Sequence, residues 1–494
     1  MRAGAGRGLA RVIAILGASW AVACSGARPA DGERALRTPL RECLVEELGE
    51  PARCGTIRVA EAGGAASRPI DLRVIVLPAR ASSPLPDPIV PLAGGPGQGA
   101  ATLASVLARR FAALREERDL LLVDQRGTGA SNGLHCPPAR SASDLMGRLF
   151  DPARVAACRD ELSRRADLTQ YTTAAAAADY ERVFDALGYR QVNVIGTSYG
   201  TRLGLELTRR FPHRIRTLTV EGVVPAASFT WPTNAAADAD AALVALASDC
   251  KADGNCARDF PEFQQDIDRA FARLAAQPAD VDVRDPSTGT VARVRFGVTD
   301  LAYATRGLLY GDEALGLPEW FRRAAQGSYD AFAQAYVDRA RRLDAQIALG
   351  VHLGVYCAED LPFVDWPAAT AAATGTRIGT YLIDQYRAAC AVWPRGTVPA
   401  DFREPVRSSV PTLLMSGRRD PVSPPRGAAE AARTLPASRV LVWPHGGHGT
   451  DGLARGDCRM TILRAFVRSA DPVRLPLDCM AQQPRPFRGP AGRE

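Results

Sequence analysis

At 494 residues the chain exceeds the roughly 250 to 300 at which a single hydrophobic core stops growing, so two lobes are expected. Apolar residues make up 46% and charged residues 23%, enough for a buried core and inconsistent with wholesale disorder. The formal charge of +7 is spread along the chain, with arginine as the basic residue throughout except for Lys251, which argues against a nucleic-acid-binding stripe or a polybasic membrane patch.

Arg2, Arg7 and Arg11 precede a mainly apolar run from Val12 to Ala23, the layout of a signal peptide over residues 1–23 that is too short to span a bilayer. Ala21-Val22-Ala23-Cys24 is similar to a bacterial lipobox, with alanine where leucine is usual. Lipidation at Cys24 would give an envelope lipoprotein, and that lipid would be its only link to a membrane. Cleavage after an A-x-A-like site would give a soluble periplasmic or secreted protein. Residues 24–68 read as a tether and extension. Setting Cys24 aside leaves ten of the eleven cysteines in near-neighbour pairs: Cys43 with Cys54, Cys136 with Cys158, Cys250 with Cys256, Cys357 with Cys390, and Cys458 with Cys479. Five local disulfides in an oxidising compartment follow. A zinc site is disfavoured, because no CxxC occurs and no histidine stands at ligand spacing.

From Ile70 the chain alternates short apolar runs with helical stretches. The strands expected are Ile70 to Leu77, Ile89 to Leu92, Leu120 to Val123, Val192 to Ile195 and Leu218 to Val220, with helices at Ala100 to Leu114 and Tyr199 to Phe211. Runs without polar alternation fit strands buried on both faces, hence a mainly parallel sheet. Residues 69–224 form the first part of this core. Residues 225–403 turn alanine-rich and helical, with segments at Ala235 to Ser248, Phe263 to Ala276 and Ala331 to Ile347 and a hairpin within Val281 to Phe296; they read as a lid inserted between the sixth and seventh strands. Residues 404–480 complete the core with strands at Thr412 to Met415 and Val440 to Trp443, and 481–494 form a tail.

Gly196-Thr197-Ser198-Tyr199-Gly200 follows the strand Val192 to Ile195 and opens a helix, the context in which G-x-S-x-G holds a nucleophilic serine at a sharp turn. Serine needs a base, and five histidines are available. His445 and His448 follow the last strand, and His448 is preferred because flanking glycines let its loop reach inward. The orienting acid should lie between serine and histidine in the chain; Asp420, after the strand Thr412 to Met415, is preferred to Glu221. Oxyanion donors are expected from the amide of Tyr199 and from Gly95 in Ala93-Gly94-Gly95-Pro96-Gly97. Asp124-Gln125-Arg126-Gly127 is read as a supporting loop. No metal or organic cofactor is implied, because side chains, amides and water suffice.

Together these motifs resemble the prolyl aminopeptidase and tripeptidyl-aminopeptidase-like branch of the α/β-hydrolases, over roughly residues 89 to 460. Ala93 and Tyr199 depart from the histidine and tryptophan usual in prolyl aminopeptidases. The resemblance implies the α/β-hydrolase fold and a serine exopeptidase acting near the free N-terminus of short peptides through an acyl-enzyme. It also implies a buried carboxylate for the substrate ammonium, and Glu359 is similar in placement to that acid. The alternatives are an esterase or other small-molecule hydrolase with the same triad, and a surface binding protein that has lost its chemistry.

Overall fold

Unbroken apolar runs become the centre of a nine-stranded sheet in the computed structural model, which describes residues 40–45, 48–63, 67–146, 150–455 and 457–489. The expected signal segment, Cys24 and most of the tether lie outside the described residues. The strands are β1 (Arg41–Val45), β2 (Glu50–Ala60), β3 (Pro69–Leu77), β4 (Leu85–Leu92), β5 (Arg118–Val123), β6 (Val192–Thr197), β7 (Ile215–Glu221), β8 (Ala279–Arg284), β9 (Val291–Phe296), β10 (Thr412–Gly417) and β11 (Ser438–Trp443). The sheet runs β1-β2-β3-β5-β4-β6-β7-β10-β11. Pairings from β5 to β11 are parallel, and those joining β1, β2, β3 and β5 are antiparallel.

The two first strands were not anticipated. In β2 only Ala52, Ile57 and Val59 are buried, Ala52 on one face and the other two on the opposite one, and Arg53 and Arg58 are exposed between them. That pattern suits an antiparallel strand near a sheet edge and has no continuous apolar run to betray it. β6 shows the opposite pattern: Val192, Val194 and Ile195 are buried on both faces. Its one polar residue between them, Asn193, is fully buried and satisfied, donating to the Asp87 carbonyl (2.7 Å) and carboxylate (2.9 Å) and accepting from Thr217 (2.8 Å).

Between β7 and β10 lie helices including Ala235–Ala252, Phe263–Ala276, Val298–Leu308, Asp330–Gln346, Leu349–Glu359 and Tyr381–Val392, and the antiparallel hairpin β8–β9. Counted with β1 and β2, the insertion follows the seventh strand of the chain, β7, where the sixth was expected. Most of it has its own apolar core, while helices Leu349–Glu359 and Tyr381–Val392 pack mainly into the core shared with the sheet. Helix Phe263–Ala276 buries Phe263, Ile267, Ala270, Phe271 and Leu274, one stripe at helical spacing, against Phe321 and Phe332.

All five expected disulfides are formed, each between elements close in the chain. Cys43 bonds to Cys54 and ties β1 to β2. Cys136 bonds to Cys158 and anchors a loop to helix Pro152–Leu162. Cys250 bonds to Cys256 and links helix Ala235–Ala252 to the short helix Gly254–Asp259. Cys458 bonds to Cys479 and holds the segment after helix Cys458–Ser469 against that helix. Cys357 bonds to Cys390 and joins helices Leu349–Glu359 and Tyr381–Val392. Replacing this last pair by alanine is expected to lower stability by about 2–4 kcal/mol, since the link restricts the unfolded chain. Urea unfolding of the double variant measures this, and an unchanged midpoint would show that the link constrains nothing.

Candidate active site

Ser198 ends β6 and begins helix Tyr199–Arg210 with φ 58° and ψ −125°, a backbone conformation that side-chain-bearing residues rarely adopt. Packing on both sides enforces it. A Cβ on Gly196 would lie 2.3 Å from the Gly200 carbonyl oxygen, and one on Gly200 would lie 2.2 Å from that of Leu92. Only glycine lets β6, its helix and the end of β4 approach so closely. The Ser198 amide donates to the Glu221 carbonyl on β7 (2.8 Å), and Ser198 O accepts from the Thr201 hydroxyl (2.6 Å).

Asp420 follows β10 and His448 follows β11, so both sit at the same sheet edge as Ser198, at the carboxyl ends of parallel strands. His448 Nδ1 lies 2.9 Å from Asp420 Oδ2. The other oxygen of Asp420 accepts the amides of Val422 and Ser423, both at 2.8 Å. Burial pushes this carboxyl upward, but the His448 charge and these hydrogen bonds outweigh burial and hold it below the ordinary carboxylate range. An ionised carboxylate only accepts, so Nδ1 carries the proton and Nε2 is left free to take one. Ser423 was not singled out from sequence: its hydroxyl donates to Asp420 Oδ2 (2.9 Å) and sits 3.1 Å from His448 Nδ1. Gly222, just past β7, makes room for the ring, since a Cβ there would lie 3.1 Å from His448 Cε1.

The rival residues are engaged elsewhere. The carboxylate of Glu221 is held by Arg110 (2.7 Å) and Arg459 (2.6 Å), and the Asp420 contact belongs to the His448 ring, not that of His445.

Ser198 and His448 line one cavity of about 900 Å³, together with Gly94, Gly95 and Tyr199. The histidine loop abuts the residue before Ser198: a Cβ on Gly449 would touch Thr197 Cγ2 at 3.7 Å. The glycine loop abuts Ser198 itself, since a Cβ on Gly94 would lie 3.2 Å from Ser198 Cβ. Gly95 has φ +108°, and a Cβ there would meet the Gly97 amide at 2.8 Å. Of the disulfides, Cys136 with Cys158 also lines this cavity, at its wall. The other four pairs lie outside the lining: Cys43 with Cys54, Cys250 with Cys256, Cys357 with Cys390, and Cys458 with Cys479 fasten the scaffold and touch no part of the site.

A model of the alpha/beta hydrolase fold matches residues 87–450, most of the chain. The protein belongs to the α/β-hydrolase family. Among curated relatives it is 27% identical over 305 residues to the tripeptidyl aminopeptidase of Streptomyces lividans, covering 58% of this chain and 54% of that protein, so it spans about half the relative's length. It is 22% identical over 391 residues to the serine protease Hip1 of Mycobacterium tuberculosis, covering 70% of this chain and 72% of the relative. Among solved structures, the proline iminopeptidase of Mycobacterium smegmatis is similar at 17% identity and a TM-score of 0.40, over 84% of this chain and 96% of that one.

In this α/β-hydrolase the insertion holds the loops on both sides of Ser198. The Tyr310 carbonyl accepts the His448 amide (2.9 Å), and its ring meets the imidazole edge-on at 5.0 Å between centroids. On the other side Ala348 N donates to Gly97 O (2.9 Å), and His352 Nδ1 lies 3.0 Å from Pro96 O. A carbonyl only accepts, so His352 carries its proton on Nδ1 and accepts from Tyr386 at Nε2 (2.8 Å). The Asp124 loop is structural: Asp124 binds Thr102 and the Ala130 amide, and Arg126 pairs with Asp179 at 2.6 Å.

Glu359 does not occupy the place expected of it. It is fully buried and absent from the cavity lining; its oxygens accept from the Thr173 amide (2.6 Å), the Thr173 hydroxyl (2.8 Å) and Arg202 (3.3 Å). Asp360 beside it takes Arg202 at 2.7 and 3.0 Å. Burial pushes the Glu359 carboxyl up to about 7 against the pull of Arg202 and Thr173. With Tyr199 bonded to Thr173 at 2.9 Å, this cluster braces helix Tyr199–Arg210 from behind, and Glu359 presents no oxygen on the cavity wall. The sequence could place an acid late in the insertion, but not which way it faces.

Two outcomes are expected. Ser423→Ala should lower kcat roughly tenfold with little change in KM, because it loosens the Asp420–His448 pair and not the substrate; steady-state kinetics with one good substrate tests this. Burial lowers His352 from 6.5 to about 4. A proton is therefore taken up on unfolding between those values, and stability falls as pH drops through that window, by about 1 kcal/mol per pH unit from this group. Urea midpoints at pH 7 and 5 should show a shallower pH slope for His352→Asn, and an identical slope would exclude the neutral ring.

Proposed function

We propose that this protein is a serine exopeptidase that cleaves peptide bonds near the free N-terminus of short peptides, with Ser198 as nucleophile, His448 as general base and Asp420 as the orienting acid. The observation that carries this reading is the opening of the strained Ser198 turn and the Asp420-held imidazole into one cavity. Attack of Ser198 Oγ on the carbonyl carbon passes its proton to His448 Nε2, and the tetrahedral oxyanion is met by the amides of Tyr199 and Gly95. Collapse expels the amine, which takes the proton from His448 and leaves an acyl-enzyme; water, deprotonated by the same imidazole, releases the acid.

Substrate length follows from space. A volume of about 900 Å³ suits a few residues, near the upper end of ordinary ligand pockets of roughly 300–1,000 Å³, and insertion residues such as Arg306, Tyr310 and Tyr356 form part of its wall. The aminopeptidase and protease names of the two curated relatives support the peptide reading. The enclosure of Glu359 behind Tyr199 favours a second reading, an esterase with the same triad, because the expected ammonium anchor is turned away from the cavity.

Matched short peptides with free and N-acetylated amino groups, run beside short acyl esters, separate the two. The exopeptidase reading expects the free amine to be cleaved at least about tenfold faster in kcat/KM, and Ser198→Ala to lose roughly 10⁴-fold or more on every substrate. Cleavage of esters alone would replace the first reading by the second. Retention of activity in Ser198→Ala would remove both.

A further inference from the structure

Arg306, on helix Val298–Leu308, lines the cavity and is only 7% exposed. Its guanidinium lies 5.0 Å from the ring centre of Trp231 and 5.4 Å from that of Tyr310, the residue packed on His448. Stacking on two rings holds it in place. Buried arginines in this fold otherwise have carboxylates: Arg202 has Asp360, and Arg126 has Asp179. Arg306 has none among the described residues. Asp238, whose titration senses Arg306, is taken on both oxygens by Arg426.

Its surroundings are short of acceptors in the same way. Arg306 Nε, Trp231 Nε1 and the Tyr303 hydroxyl are buried with no well-formed hydrogen bond; their polar neighbours are the Tyr310 hydroxyl beside Arg306, the Tyr386 hydroxyl beside Trp231 and Arg339 beside Tyr303, and all six residues line the one cavity. A second arginine, Arg339, stacks on the far side of this group, 4.3 Å from the Tyr310 ring centre, and lines the same space. A buried cation whose neighbours are neutral tyrosine and tryptophan groups, with no carboxylate, is a costly arrangement that an anionic ligand's oxygen atoms would offset.

We infer that the wall formed by Arg306, Trp231 and Tyr303 binds a carboxylate carried by the substrate, so that the enzyme selects short acidic or free-acid acyl compounds. This rests on the cavity being the substrate site, though not on the scissile bond being a peptide. For short peptides the carboxylate is either the C-terminus or an acidic side chain, and both present the two oxygens that a guanidinium recognises.

The test compares matched pairs within each enzyme form of the full protein: peptide acid against peptide amide, glutamate against glutamine peptides, and the 4-nitrophenyl esters of monosuccinate and butyrate. Wild type should prefer at least one carboxylate-bearing partner by roughly tenfold or more in kcat/KM, mostly through KM. Arg306→Gln should bring that pair to within about twofold, and Arg306→Lys should keep part of the preference. Which pair responds identifies the source of the carboxylate. The ester pair keeps the test independent of peptidase activity: a preference there with no peptide cleavage supports this inference while rejecting the exopeptidase. Equal turnover within every pair by wild type, or a preference undiminished in Arg306→Gln, overturns it. If Arg306→Gln does not fold, inhibition of wild type by N-acetylalanine against N-acetylalaninamide decides, and equal inhibition by the two overturns the proposal.

Discussion

The site depends on the close approach of backbones around Ser198. β6, the helix it feeds and the end of β4 come together with no room for a Cβ at Gly196 or Gly200, and this crowding keeps Ser198 at φ 58°. A residue held there costs on the order of 1–3 kcal/mol and persists only where its surroundings over-determine it. Here the surroundings are a sheet whose central strands are buried on both faces, with a bond from the Ser198 amide to β7. The strain is thus sustained by the core, and it presents the hydroxyl at the edge where the cavity opens.

The insertion completes that site as well as covering it. It reaches the histidine loop through Tyr310 and the glycine loop through Ala348 and His352, so the segments flanking Ser198 on two sides are both bonded to it. The two contacts come from different packing units: Tyr310 follows helix Val298–Leu308 of the insertion's own core, whereas Ala348 and helix Leu349–Glu359 pack into the core shared with the sheet. The buried Arg202 cluster has a similar function from behind, tying the first turn of helix Tyr199–Arg210 to Glu359 and Asp360. Charges buried in this way are stabilising only when fully paired, which explains why Glu359 turns toward Arg202 and Thr173 and not toward the cavity.

Much of this architecture was legible because its signals are local. The apolar run before Gly196, the helical stripe of Phe263 to Leu274 and the alternation of β8 and β9 declare themselves within a few residues. Near-neighbour cysteines also find each other at short range, as Cys250 and Cys256 do across a single turn. β1 and β2 were not legible because an edge strand is wet on one face and its charged residues hide the pattern. Ser423, Gly222 and Tyr310 escaped notice for another reason: each matters only for what it touches from a distant part of the chain.

By itself the sequence indicated the strand and helix order from β3 onward, the sharp turn at Ser198 and a near-neighbour arrangement of cysteines, all of which follow from backbone preference and short-range spacing. Only the tertiary structure decided that Ser423 joins the Asp420–His448 pair, which way Glu359 faces and where Arg306 lies without a carboxylate. Those outcomes depend on burial and on contacts between separate segments of the chain, where desolvation and the available partner, rather than residue type, set the role of a charge.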